Sequence, residues 1–485
     1  MARNGRALAL RDVPVLPLDE FRRWLVGGVA EGQRIAAYFG ALEPLTLFAV
    51  LADDGGGRLL VAAARAEASM ASIAAEVPQA QLFEREIAEQ HGVVFEGHPW
   101  PKPVRFPAAV PGSVAGVQDF FRVEGSEVHE VAVGPVHAGV IEPGHFRFQC
   151  HGEDVFHLEI ALGYQHRGVE RALAGGPTKR TIPYMETLAG DTTIGHTLAY
   201  SQAIEALSGA GVSARAQAIR GIALELERLA NHAGDLGALA GDVAYLPTAS
   251  FCGRLRGDFL NLTAELCGSR FGRSLVRPGG VVFDVTADKA AVLKSRLLAA
   301  RRDTAEAVEL LWDTPSVVER FENTGRVSPE DARAAGLVGP AARACGIPID
   351  VRHDFPLGIY RFVHLPVMTA HHGDVSSRAT VRWLEIQQSV QFILKQLDGL
   401  PEGRPRAEVG ALRPDALVVT LTEGWRGEIC HVAITDTAGR FARYKVVDPS
   451  CHNWTGLALA LRDGQISDFP LCNKSFNLSY CGHDL

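Results

Sequence analysis

Eight cysteines stand at positions 150, 252, 267, 345, 430, 451, 472 and 481, and no two of them form a C-x-x-C pair. That spacing is what lets one turn offer two thiolates to a metal. Without it, scattered cysteines read first as small buried hydrophobes, and only Cys472 and Cys481 are close enough to invite another reading. Histidines and carboxylates are the remaining groups able to move protons. His145 closes a Glu142-Pro-Gly turn, where an imidazole can serve as a proton donor or as a hydrogen-bonded core residue. Asp235 interrupts an apolar helical face, and an unpaired buried carboxylate is costly, so it should have a partner. Arg167 and Glu170, three residues apart, can hold a ligand or form a surface ion pair of little energetic value. His166, His196 and His232 fit a helix interior, and none of them stands at metal-ligand spacing. No G-x-G-x-x-G fingerprint follows a strand, so nicotinamide chemistry must lie outside this chain.

These residues need a scaffold larger than one core, because 485 residues exceed what one compact domain ordinarily holds. Leu45–Ala52 and Arg58–Ala63 read as strands around the turn-forming 53–57 segment, and Ala80–Gln90 as an amphipathic helix. The proline-rich run His98-Pro-Trp-Pro-Lys-Pro-Val104 can be neither regular helix nor inner strand and reads as a linker. Glu127–Val133 and His145–Cys150 look like paired strands, and from Leu158 onward the pattern turns helical. Ala214–Leu239, with Ser213 as its N-cap, repeats apolar residues at three- and four-residue spacing, as do Phe259–Cys267, Ala290–Leu311 and Val375–Leu397. Strand-like text returns at Ala416–Leu421, Ile429–Thr435 and Arg440–Val446. The expectation is an α+β protein: a small α/β domain over residues 1–120, then a domain over 126–485 with a central antiparallel helix bundle and peripheral strands.

Several separated blocks resemble one family in order and spacing. Leu82-Phe-Glu-Arg-Glu-Ile87, then Gly92 and Gly97-His-Pro99, is similar to the 30 kDa subunit of complex I. Val133-Gly-Pro-Val-His137 with Glu142-Pro-Gly-His-Phe-Arg147 resembles the start of the large subunit of formate-hydrogenlyase-type (group 4) nickel–iron hydrogenases. So do Tyr164-Gln-His-Arg-Gly-Val-Glu170, which matches a helix reading H-R-G-x-E, and Arg215-Ala-Gln217 with Leu226-Glu-Arg-Leu229. Gly373-Asp-Val-Ser-Ser-Arg378 and Asn453-Trp454 extend the likeness almost to the end, covering roughly residues 80 to 485.

In that family two C-x-x-C pairs hold nickel and iron, since soft thiolates stabilise these metals. Alignment on His196 and Tyr200 puts Ala189 and Thr192 at the first pair, and Ser479 and Gly482 at the second, with Cys481 one position off. None of those four supplies a thiolate, so the resemblance implies a lost nickel site and no hydrogenase activity. Complex I relatives, also metal-free here, use the cavity for quinone, with a turn histidine paired to a helix aspartate beside a tyrosine. His145 and Asp235 match the pair, and Gly190 stands at the tyrosine position. A His–Asp pair suits a quinone, because the carboxylate orients an imidazole that protonates the reduced oxygen. By the same resemblance Glu142 matches a proton-carrying acid, and Arg167, Glu170, Gly190 and His196 border the cavity. Arg343, Arg352 and Asp354 resemble a loop at its edge.

The resemblance further implies an iron–sulfur small subunit as partner, carrying the clusters, and membrane-arm subunits of an energy-converting complex. No cofactor is expected on this chain itself; the resemblance allows a quinone-like acceptor in its cavity or, as the alternative, a catalytically silent scaffold that couples a partner's redox chemistry to an ion-translocating membrane arm. The net charge of -8 gives nucleic acid no basic face to bind. Apolar runs such as Leu45–Ala52 are too short to span a bilayer, and the amino terminus carries no secretory pattern. The expected location is cytoplasmic, on the inner face of the membrane through partners.

Overall fold

Ser213 opens the longest helix as an N-cap, its hydroxyl accepting the Ala216 amide at 3.1 Å. The helix, Ala214–Asp242, is buried on nearly all sides, as expected of a helix at the centre of a bundle. The computed structural model describes residues 2–107, 114–139 and 141–485; residues 108–113 of the first expected domain lie outside the described residues. It mixes long helices with several small sheets, the α+β class expected.

The central helix packs against Leu246–Cys267 and Val375–Asp398. Its direction relative to the latter follows from the bonds between them. Arg382 reaches Asp235 at 2.6 Å, Glu385 reaches His232 at 2.8 Å, and Ser389 reaches Glu225 at 2.6 Å. One number rises as the other falls, so the two helices run antiparallel. The helix expected at Phe259–Cys267 begins earlier, at Leu246, with Pro247 in its first turn where no amide is required. Glycines 253 and 257 break the apolar spacing without breaking the helix.

The expectation of helix from Leu158 onward is corrected. Asp154–Ala161 is a strand, folded back on His145–His151 through a turn at Gly152, with Val128–Val133 on the far side of the same sheet. Nor is the H-R-G-x-E run a helix throughout: a turn at Tyr164–Gln165 leads into irregular backbone over His166 to Gly168, and the helix starts at Val169.

Near the amino terminus, Val15–Leu16, Arg58–Arg65, Thr46–Asp53 and Arg34–Ala41 form a sheet in that order, flanked by helices Leu18–Ala30 and Gln81–His91. A second four-stranded sheet holds Ala416–Gly424, Gly427–Thr435 and Phe441–Val447, and its edge is Leu8–Ala9 from the other end of the chain. Phe83 and Ile87 share one apolar cluster with Leu421, Val432 and Val447, so the two sheets stand on a common core. The E-R-E run joins them. Glu84 accepts from Ile73 N at 2.9 Å within the first unit, whereas Glu86 reaches Arg105 at 2.6 Å and Lys445 at 2.5 Å.

Candidate functional site

Arg167 joins the two segments that the resemblance singled out. Its guanidinium donates to the carbonyls of Thr187 at 2.8 Å and Leu188 at 3.0 Å, just before Ala189, and to Cys481 at 3.3 Å in the terminal turn. The rigid planar fork fixes the directions of these three bonds, which a flexible ammonium would not. The terminal turn is clamped from other sides too. Asp484 accepts from Gly163 N and Gln165 N at 2.8 and 2.9 Å, and His166 bonds the Asp484 carbonyl at 2.8 Å. The ion pair of Arg167 with Glu170 is not formed. Glu170 is buried and instead meets Arg443 at 2.9 Å and Lys445 at 3.0 Å, because the turn at Gly168 sends its side chain toward the carboxyl-terminal sheet. Burial works to raise this carboxyl, and Lys445 and Arg443 outweigh it and hold it below its ordinary range.

Each of the four positions that the resemblance assigns to metal ligands has another setting here. Ala189 is fully buried. Thr192 Oγ1 accepts from Trp425 Nε1 at 3.1 Å. Ser479 caps the last helical turn by accepting from Gly482 N at 2.9 Å. A Cβ placed on Gly482 would lie 2.7 Å from the Asp448 carboxyl carbon, so this carboxylate fills the room of a side chain at residue 482. Beside it, Asp191 and Arg426 form a two-bond ion pair at 2.6 and 2.8 Å, and Arg426 lies 3.9 Å over the Trp425 ring. With no thiolate at any of the four positions and a carboxylate in the way at one, the residues do not fit a nickel–iron centre. Among the described residues no group of three or more His, Cys, Asp or Glu side chains is arranged to hold a metal ion.

Cys481 is the thiol nearest this cradle. Its Sγ lies 3.5 Å from Ser479 Oγ, and its amide meets Glu142 Oε1 at 3.3 Å. Burial, with the Glu142 carboxylate beside it, pushes the thiol up to about 11, which keeps it protonated at neutral pH. Glu142 also takes the Tyr480 amide at 3.3 Å and so receives the start of the last helical turn. Gly190 is exposed, and a Cβ there would meet nothing within 4 Å, so the cradle is open on this side.

The His145–Asp235 pair is not formed, and this corrects the expectation. Asp235 has both oxygens occupied, by Arg382 Nε at 2.6 Å and Asn477 Nδ2 at 2.5 Å. His145 Nδ1 bonds the Gly134 carbonyl at 3.0 Å, its ring lies 5.0 Å from that of Phe120, and its buried Nε2 has no partner. The antiparallel helix that supplies Arg382 satisfies Asp235 before a histidine can reach it.

His196 shows what the cradle can do chemically. Its Nε2 meets Asp448 at 3.0 Å, its Nδ1 meets His431 Nε2 at 3.1 Å, and His431 Nδ1 meets Tyr444 Oη at 2.9 Å. His196 Nε2–H donates to the ionised Asp448; with a neutral His196 ring Tyr444 donates to His431 and His431 to His196, and with an imidazolium at His196 both of those bonds reverse. All four groups are buried. Burial holds His431 well below its ordinary value, with His196 adding to the effect, so its ring is neutral. Burial also raises Tyr444, whereas at Asp448 burial is outweighed only by the bond and charge of His196, Arg426 and the Ser450 amide acting together, which hold that carboxyl low. The result is a proton-ordered chain ending at the carboxylate that fills the cradle.

A second buried carboxyl, Glu227, accepts from Ile194 N at 2.7 Å and Gly195 N at 3.1 Å at the start of helix Thr193–Ser208. Burial drives it up to about 8, against those two bonds. Behind it lies a fully enclosed charge network. Arg343 meets Glu385 at 2.7 Å and Glu423 at 2.8 Å, and Arg352 meets Glu225 at 3.1 Å and Asp350 at 2.6 Å. Asp354 accepts the Asp350 amide at 2.9 Å. Arg343, Arg352 and Asp354 therefore hold their loop. His232 lies in a helix interior as expected, bonded to Glu385. Sequence reasoning missed Asp448, His431, Tyr444, Asp191, Arg426 and Glu227, which come from separate stretches with no shared spacing. The one available signal was Glu227 within Leu226-Glu-Arg-Leu229, a charge on an apolar helix.

Comparison with known proteins agrees with this architecture. Residues 242–414 match the family described as "Respiratory-chain NADH dehydrogenase, 49 Kd subunit", and residues 39–113 match "Respiratory-chain NADH dehydrogenase, 30 Kd subunit". Formate hydrogenlyase subunit 5 of Escherichia coli is 30% identical over 434 residues, covering 84% of this chain and 76% of the relative. The carbon monoxide-induced hydrogenase of Rhodospirillum rubrum is 30% identical over 72% of this chain and 97% of its own length. NADH-quinone oxidoreductase subunit 4 of Thermus thermophilus is 31% identical over 71% of this chain and 90% of its own. With both parts in one polypeptide, the chain belongs to the group 4 hydrogenase and complex I family of oxidoreductase subunits, as a fusion of its 30 kDa and 49 kDa types.

Proposed function

We propose that this chain is the metal-free core subunit of a hydrogenase- and complex I-related oxidoreductase complex. In it, the former metal cradle transmits changes of charge in an iron–sulfur partner to membrane-arm subunits. The observation that carries this reading is the replacement at the cradle: the Asp448 carboxylate where a residue-482 side chain would stand, at the end of the Tyr444–His431–His196 chain. A chain of this kind reorders protons when a nearby charge changes, and it needs no metal to do so. The open side at Gly190 offers a face for the partner carrying the clusters. No described helix is long and apolar enough to cross a membrane, so attachment to the inner, cytoplasmic face would run through partner subunits. The domain division at residues 120 and 126 belongs to the same proposal, with the first unit as a docking module.

A second reading, reduction of a quinone-like acceptor, is favoured by one specific observation: the buried His145 Nε2 without a partner. Because Nδ1–H donates to the Gly134 carbonyl, Nε2 is an acceptor in the neutral ring, and it gives a proton to a quinone oxygen only as the imidazolium.

The test is made on the complex purified with its native partners. Nickel and iron are quantified per chain, and electron transfer to quinone analogues is compared between wild type, H145A and D448N. The transmitting reading expects iron without nickel and coupling lost in D448N, with quinone reduction indifferent to H145A. Near-stoichiometric nickel would overturn both readings. Loss of quinone reduction in H145A alone would replace the first by the second.

A further inference from the structure

Between helix Gln81–His91 with its proline-rich extension on one side and strand Asp154–Ala161 with helix Pro449–Leu461 on the other lies a cleft of about 560 Å³. That volume is in the range of small-molecule sites. It adjoins the elements of the cradle at Cys451 and His483, but none of residues 189, 192, 479 and 482 lines it. Leu82 and Val104 face Leu158, Ile160 and Ala458 across it, so the walls are apolar.

The polar groups that reach the cleft have an imbalance of charge. Its carboxylate, Glu159, is already saturated by Lys102 Nζ at 2.7 Å, Gln118 Nε2 at 3.1 Å and Phe121 N at 2.8 Å. Arg85 donates only to neutral acceptors: the carbonyls of Lys102 at 2.7 Å and Pro103 at 2.9 Å, and Gln81 Oε1 at 3.2 Å. Arg462, exposed at the end of the second helix, has no side-chain partner among the described residues. Trp454, only 5% exposed, leaves its Nε1 donor unbonded, and an unmade bond at a buried donor costs free energy. Arg85 feels Glu89 and Glu159 at a distance but hydrogen-bonds no carboxylate, and with Arg462 and the unbonded indole N–H in the wall of an apolar trough it calls for acceptor oxygens with negative charge on an apolar body.

We infer that this cleft binds a single-chain anionic amphiphile, with a carboxylate or phosphate head at Arg462 and Arg85 and its hydrocarbon tail along Leu82, Leu158 and Ala458.

The experiment uses the full chain, stripped of lipid and titrated calorimetrically with oleate and with oleyl alcohol. Oleate is expected to bind at one site, and the alcohol at least about tenfold more weakly, because it lacks the charge that the arginines answer. R462E should weaken oleate about tenfold or more while leaving the melting temperature unchanged, since the residue is exposed and unpaired. A458W should fill the trough and abolish binding, with circular dichroism confirming the fold. Because R462E alters only a surface side chain, it keeps the test valid even where A458W fails to fold. Absence of oleate binding by the wild-type chain overturns the proposal, as does equal affinity for acid and alcohol, or oleate binding that both variants leave unchanged. A458W that releases a partner from the purified complex, in a chain that takes up no oleate, would make the cleft a subunit interface and overturn it as well.

Discussion

Gly482 stands against Asp448: a Cβ at residue 482 would lie 2.7 Å from the aspartate's carboxyl carbon and 2.9 Å from Ser479 Oγ. The absence of a side chain at 482 and the presence of the carboxylate at 448 are one packing decision. G482C should therefore destabilise the chain by about 1–3 kcal/mol, the usual cost of overpacking. Most of that cost should vanish in the D448A background, giving a coupling in a double-mutant cycle. Denaturant midpoints of the four proteins check it, and additive effects would mean that the two residues do not compete for space.

Glu227 makes stability depend on pH in a stated direction. Its carboxyl is raised to about 8 in the folded chain from an ordinary value of 4.5. Below about 4.5 both states hold the proton and the contribution is fully present. Between about 4.5 and about 8 the unfolded chain releases the proton while the folded chain keeps it, so stability falls as pH rises, and above about 8 the loss is complete. The difference between wild type and E227Q, measured by urea unfolding from pH 4.5 to 9, should carry this slope. A flat difference would place the carboxyl at its ordinary value.

Lys445 holds two buried carboxylates at once, Glu86 at 2.5 Å and Glu170 at 3.0 Å, and so ties the amino-terminal unit to the carboxyl-terminal sheet. K445M leaves Glu86 with Arg105 and Glu170 with Arg443 as their remaining cations, so the loss is expected below the about 3–5 kcal/mol of a buried pair broken outright. Adding E86Q and E170Q should recover much of it. Thermal unfolding of the single and triple variants distinguishes this from a simple packing loss, which the extra changes would not repair.

Arg167 should matter most at the end of the chain. With three carbonyls from two segments on one guanidinium, R167A is expected to cost about 2 kcal/mol, in the range for bonds to a charged group. R167K should recover only part, because an ammonium is a point charge on a flexible stem. Hydrogen exchange should quicken first in residues 479–485 and 187–192; uniform quickening across the protein would refute the local role.

Strong periodic elements were legible from sequence. The N-cap at Ser213, the helices Ala214–Asp242, Ala287–Trp312 and Val375–Asp398, and the three carboxyl-terminal strands all fall within a few residues of their expected places. Local spacing carried that information, since each face of an element is set by residues near one another in the chain. Asp154–Ala161 escapes such a reading because eight residues with a bulge between Val155 and His157 do not alternate cleanly, and the neighbouring strand decides the matter.

The site was legible only as a set of losses. Residue types at 189, 192, 479 and 482 already exclude thiolate ligation, since chemistry of that kind depends on the atoms present and not on their arrangement. What replaced it was decided by tertiary structure alone. Asp235 went to Arg382 and not to His145, because the antiparallel helix places a guanidinium within 2.6 Å. His196, His431, Tyr444 and Asp448 formed one hydrogen-bonded chain because a helix and a sheet more than 200 residues apart in sequence are packed together in the buried interior. Buried polar groups must find partners wherever the packed fold offers them, and the sequence names the groups without naming the partners.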